Sequence, residues 1–165
     1  MVAELKRRVG EELERLSRVL MEEMDASLAR AGGADADESA SPERRELQER
    51  IRFLGQVTAG LVEADPAAIT LDRAGFGSTV RVVDVDAGAE LEYTLMAGEL
   101  IDIEGGQVSL ASPIGQALLG RRTGEIVEVE LPHRRLRLRI RSVVTLPQLL
   151  GLARRKERRR RSAMA

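Results

Sequence analysis

Three carboxylates stand within four residues, at Asp35, Asp37 and Glu38, and the next base along the chain is Arg44. Acids spaced this closely are either ordinary solvated turn residues or hard oxygen ligands for a divalent cation. A loop with nothing more would hold Mg2+ only weakly, because that ion keeps its waters and demands octahedral geometry. On the ligand reading, the other ligands come from a partner, and the loop has to be delivered to it.

The flanking residues predict how. Between Leu5 and Leu28 apolar residues fall at Leu5, Val9, Leu13, Leu16, Leu20, Met24 and Leu28, steps of three and four that mark one face of a helix from about Ala3 to Ala31. A second series, Leu47, Ile51, Leu54, Thr58 and Leu61, repeats the spacing. Each stripe is narrow, and two narrow stripes are buried most simply by pairing the helices antiparallel as a coiled-coil hairpin. Gly32 and Gly33 supply the exit from the first helix. Ser41, Pro42 and Glu43 read as N-cap, first-position proline and first-turn acid of the second. The acids then sit at the far end of a rod.

Beyond Gly75 the periodicity changes to alternation. Residues 79–85 and 89–96 read as an antiparallel hairpin about the turn Asp86-Ala87-Gly88. Short strands follow at 107–110, 126–131 and 136–144, with one helix at 114–119. Arg135, Arg137, Arg139 and Arg141 alternate with Leu136, Leu138 and Ile140, the pattern of an outward strand face. The fold class expected is α+β in two domains. The N-terminal antiparallel coiled-coil hairpin spans 1–66 and a linker 67–73. An antiparallel sheet with one short helix spans 74–146, and a basic tail 147–165.

Composition narrows the chemistry. With no Cys there is no disulfide, thiolate nucleophile or zinc ribbon, and the lone His133, in a turn after Pro132, forbids a multi-histidine site. Aromatic residues are 2%, at Phe53, Phe76 and Tyr93, too few to wall an aromatic ligand cage. The net charge is -1, yet residues 154–161 read RRKERRRR. That block is a solvated end or an electrostatic contact to nucleic acid or another acidic surface. No apolar run approaches the ~20 residues needed to cross a bilayer. A cytosolic monomer is expected.

The segment Ser112-Pro113-Ile114-Gly115-Gln116-Ala117-Leu118-Leu119-Gly120 closely resembles a run in the C-terminal domain of the bacterial GreA/GreB transcript-cleavage factors. Phe76-Gly77-Ser78-Thr79-Val80, Tyr93-Thr94-Leu95 and residues 124–129 resemble successive segments of the same family, and the acidic hairpin resembles its other half. This resemblance implies an FKBP-like C-terminal domain. It further implies an elongation factor that enters the secondary channel of RNA polymerase and stimulates the polymerase's own cleavage of backtracked transcripts. Asp35 and Glu38 take the places of the family's functional acid pair, with Asp37 as a substitute, and would help hold a Mg2+ that belongs to the polymerase active site. The protein is then an accessory factor rather than an enzyme, with no cofactor of its own, and meets transcript RNA and DNA only through the elongation complex. The tip departs from the family pattern at Ala36, Ser39 and Ser41-Pro42, so the alternative is a Gre-like inhibitor that occupies the channel without stimulating cleavage. An FKBP-like domain also raises peptidyl-prolyl isomerase activity, against which the scarcity of rings argues.

Overall fold

A computed structural model describes residues 2–31, 41–63, 65–98 and 101–152. Two long helices, α1 (Val2–Ala31) and α2 (Pro42–Glu63), pack against each other. Their closed seam holds Leu5, Val9 and Leu16 of α1 and Leu54, Val57 and Leu61 of α2, none more than 6% exposed. The Arg50 guanidinium lies 3.9 Å from the Glu12 carboxylate, which sets the level at which the two helices meet. The start of α2 is capped as expected. The Arg44 amide donates to Ser41 Oγ at 3.2 Å and the Arg45 amide to the Ser41 carbonyl at 3.1 Å.

Two details of the seam depart from the periodicity. Val57, not Thr58, fills the position after Leu54; Thr58 is exposed and turns its hydroxyl back to the Leu54 carbonyl at 2.8 Å. Either spacing suits a helix, and the valine wins the interior because it carries no group that needs a polar partner. The α1 stripe also outlasts its cover. Met24 and Leu28 are 45% and 62% exposed, because α2 begins only at Pro42 and its first turns lie near Leu20 in the register set by Glu12 and Arg50.

The second layer is a five-stranded sheet: β1 (Thr79–Asp84), β2 (Glu90–Met96), β3 (Gln107–Ser109), β4 (Ile126–Leu131) and β5 (Arg134–Val144), in the order β3-β2-β1-β5-β4. The helix α3 (Pro113–Leu118) packs against both edge strands, β3 and β4, and α4 (Leu146–Leu149) follows β5. The alternation in β1, β4 and β5 sends Val80, Val82, Val127, Val129, Leu136, Leu138 and Ile140 inward onto Leu95 and Leu118. Arg135, Arg137 and Arg139 face outward, as their spacing predicts. A register shift between Arg81 and Val82 against β5 sets Ser142 opposite Arg81 and leaves Arg141 without a cross-strand partner.

The α+β architecture is the expected one, but the sheet is mixed rather than purely antiparallel. β3 pairs parallel to β2, with Thr94 opposite Gln107 and Met96 opposite Ser109. The chain runs back alongside β2 before re-entering, and the Thr94 amide donates to the Gly106 carbonyl at 3.0 Å. Alternation in a three-residue strand carries no direction, so the sequence pattern alone could not distinguish the two arrangements.

Candidate functional site

The residues singled out for chemistry, Asp35, Asp37 and Glu38, lie outside the described residues, as does the basic block 154–161. What the structure does place is the apparatus around the acidic loop: the two helices that flank it and the platform from which they project. At 1.5 Å per residue the thirty residues of α1 extend roughly 45 Å. The shaft is laced by ion pairs along α1. Arg7 reaches both Glu4 and Glu11, and Arg15 holds Glu12 at 2.7 Å. The hydrogen bond from Arg7 pulls the Glu4 carboxyl below its ordinary pKa, and that from Arg15 does the same to Glu12.

The distal part of α1 has a different character. Met21, Met24 and Leu28 are exposed beside the likewise exposed Glu22, Glu23 and Asp25. The described end of the arm is therefore both acidic and apolar. Across from it, the Nε of Arg44 is buried without a hydrogen-bond partner. Among the described residues no group of three or more acids or histidines is placed to hold a metal ion.

The platform end contains what the sequence pattern did not reveal. The hairpin base and the sheet domain share one apolar cluster: Leu5, Val9, Leu54, Val57 and Leu61 from the helices meet Ile69, Phe76, Met96 and Leu146. Gly60 of α2 lets the Phe76 ring approach the helix backbone directly. A polar tie runs beside it, Gln107 Nε2 donating to Gln56 Oε1 at 2.7 Å while Gln107 Oε1 accepts from the Asp102 amide at 2.9 Å. Residues 66–76 are closed on themselves and stitched to the sheet domain, with the Phe76 amide on the Ala68 carbonyl, the Ala74 amide on the Arg121 carbonyl and the Gly120 amide on the Ala74 carbonyl. The signals were a glycine inside α2 and a leucine-rich run after Thr145, neither of which belongs to a periodic stripe.

The Ser-Pro run has a mechanical reading. Ser112 caps α3, its Oγ accepting from the Gly115 amide at 3.1 Å while its hydroxyl donates to the Ser109 carbonyl at 2.7 Å. Gly115 is pressed onto the end of β3, where a Cβ would stand 1.9 Å from the Ser109 carbonyl oxygen. The chain contains no cis peptide among the described residues, so Pro113 serves as the first residue of the helix. His133 is exposed in the turn between β4 and β5. Phe76 is only 1% exposed and committed to the shared cluster, so it is not free to wall a proline-binding pocket with Tyr93.

The family comparison is decided by a relative aligned along most of both chains. The chain is 31% identical over 143 residues to "Transcription elongation factor GreA" of Thermodesulfovibrio yellowstonii, covering 82% of this chain and 90% of that protein. The chain belongs to the GreA/GreB family. The family model described as "Transcription elongation factor, GreA/GreB, C-term" matches residues 69–145 of this Gre-family chain, from Ile69 in the shared cluster to the last residue before α4. A second relative, the GreA of Chloroherpeton thalassium, is 39% identical over 95 residues, 58% of this chain and 60% of its own length. Among solved structures, the Gre factor from Nitrosomonas europaea matches with 26% identity and a TM-score of 0.40, covering 80% of this chain and 91% of that one. No described helix is long and apolar enough to cross a membrane.

Proposed function

We propose that this protein is an RNA polymerase elongation factor whose arm enters the secondary channel and stimulates the polymerase's cleavage of backtracked transcripts. The observation that carries the reading is a capped, antiparallel pair of long helices, rooted in a shared core with the sheet domain of a Gre-family chain and flanking the acidic loop. A rod of this length has no evident use in stabilising an 18.1 kDa protein and suits delivery of a loop into a narrow space.

On this reading Asp35 and Glu38, with Asp37 in reserve, contribute carboxylate oxygens near the polymerase active centre. The Mg2+ there supplies the polarisation that makes water a nucleophile at neutral pH. The chain's own residues orient and deliver: α1 and α2 set the reach, Ser41 fixes where the second helix begins, and the sheet domain docks at the channel rim. The protein is an accessory factor, and nucleic acid is met only within the elongation complex.

The test mixes the protein with a backtracked polymerase complex and Mg2+, alongside a variant carrying Asp35→Ala, Asp37→Ala and Glu38→Ala. Shortened transcripts with the parent and not with the variant support the proposal. Blocked synthesis without shortening, or equal shortening by both proteins, overturns it.

A further inference from the structure

The segment after the last strand lies outside the residues that match the family model, which end at residue 145. It is nonetheless built into the joint between the two domains. Leu146 is fully buried in the cluster that holds Leu5, Val57, Leu61, Phe76 and Met96, and Leu149, Leu150 and Leu152 pack against the same cluster. The segment is also tied outward by one polar contact and closed by two local ones. Gln148 Oε1 accepts from the Thr145 amide at 3.1 Å, and Gln148 Nε2 donates to the Leu71 carbonyl at 3.2 Å, on the stretch that leads from arm to sheet. The Leu152 amide closes the turn onto the Pro147 carbonyl at 2.8 Å.

Among the described residues the arm meets the sheet domain through the shared cluster and the Gln56–Gln107 tie. Domains of one chain move relative to each other unless their interface is large and apolar, so the direction of the arm rests on how fully this cluster is closed. We propose that residues 146–152 form a strap that fixes the direction in which the arm projects from the sheet domain. Leucines from the strap complete the cluster around Leu146, while Gln148 pins the connecting stretch, so arm, connection and sheet are held together. The proposal concerns the joint alone and stands whether or not the arm acts on a polymerase.

The absence of Cys makes the joint directly measurable. Spin labels on Glu22→Cys in α1 and Glu128→Cys in β4, both exposed, report the inter-domain distance by pulsed electron resonance. The full chain is expected to give a single narrow distance peak, retained in a chain ending at Leu152. That peak should be lost to a broad distribution in a chain ending at Thr145. A full-length Leu149→Ser/Leu150→Ser variant, which keeps the buried Leu146, should broaden as well; it serves as the test if the shorter chain does not fold. A peak that stays narrow without the strap overturns the proposal, as does equal broadening when only residues 153–165 are removed.

Discussion

The Phe76 ring lies so near the backbone of Gly60 that a methyl group at residue 60 would stand 2.8 Å from both Cε2 and Cζ of the ring. Gly60 is buried in the last turn of α2, where glycine costs up to about 1 kcal/mol relative to alanine, so its presence is offset by the contact it permits. Gly60→Ala is therefore expected to destabilise the protein by roughly 1–3 kcal/mol, the usual cost of overpacking. A urea denaturation midpoint unchanged or raised in that variant would contradict the finding.

Gly10 and Gly55 make the opposite prediction. Both lie inside the arm helices, and nothing stands within 4 Å of where a Cβ would be. Gly10→Ala and Gly55→Ala should each stabilise by up to about 1 kcal/mol, through helix propensity alone. Thermal unfolding of the two single variants and their combination checks this.

The Ser-Pro run should prove unforgiving at one position and tolerant at its neighbour. Gly115→Ala forces a methyl into the Ser109 carbonyl, displacing backbone rather than a flexible side chain, and should cost about 3 kcal/mol or more. Ser112→Ala removes one cap and should cost about 1 kcal/mol. Denaturant titrations should rank the variants in that order.

Acid should weaken the protein in a way that salt imitates. Hydrogen bonds from arginine hold Glu4, Glu12 and Asp86 below their ordinary pKa values. A depressed carboxylate contributes stability above its unfolded-state pKa and loses it as pH falls through the folded one, so these contributions are intact at neutral pH and vanish in the acid range below ordinary carboxylate values. The pairs are solvent-exposed, which keeps each contribution small and screenable. Arg137→Gln, which frees Asp86, should narrow the difference between unfolding midpoints at pH 7 and pH 3, and high salt should narrow it similarly.

Removing residues 153–165 and neutralising the tip should have unequal effects. Under the channel reading, deletion of the basic block leaves transcript shortening in place and changes chiefly its salt dependence. Loss of Asp35 alone should slow shortening by roughly 100-fold, the scale of a misplaced catalytic geometry. A deletion that abolished activity while the Asp35→Ala variant retained it would instead identify a nucleic-acid binder.

Much of the architecture was legible because its signals are local. The three-and-four spacing of Leu5, Val9, Leu54 and Leu61 announces helices, Ser41-Pro42 announces where the second begins, and the alternation from Leu136 to Ile140 announces which strand face is buried. What stayed hidden depends on residues far apart in the chain. Nothing in Gly60 foretells Phe76, nothing in Gln56 foretells Gln107, and the parallel sense of β3 is set by the path of the returning loop rather than by its three side chains. The α1 stripe was read as continuous because periodicity on one helix carries no information about where the covering helix stops, which left Met24 and Leu28 exposed. The chemistry assigned to Asp35, Asp37 and Glu38 rests on spacing and family resemblance alone, since these residues lie outside the described ones.

The cluster at the joint has a consequence for how the protein is made. Leu5 is made roughly 140 residues before Leu146 to Leu152, yet they pack in one cluster. A nascent chain can wind its helices and even close most of its sheet early, but the root of the arm stays incompletely walled until residues 146–152 have emerged. Early apolar side chains such as Leu5 and Leu61 then wait for their final neighbours, and the joint takes its finished form only when that segment arrives.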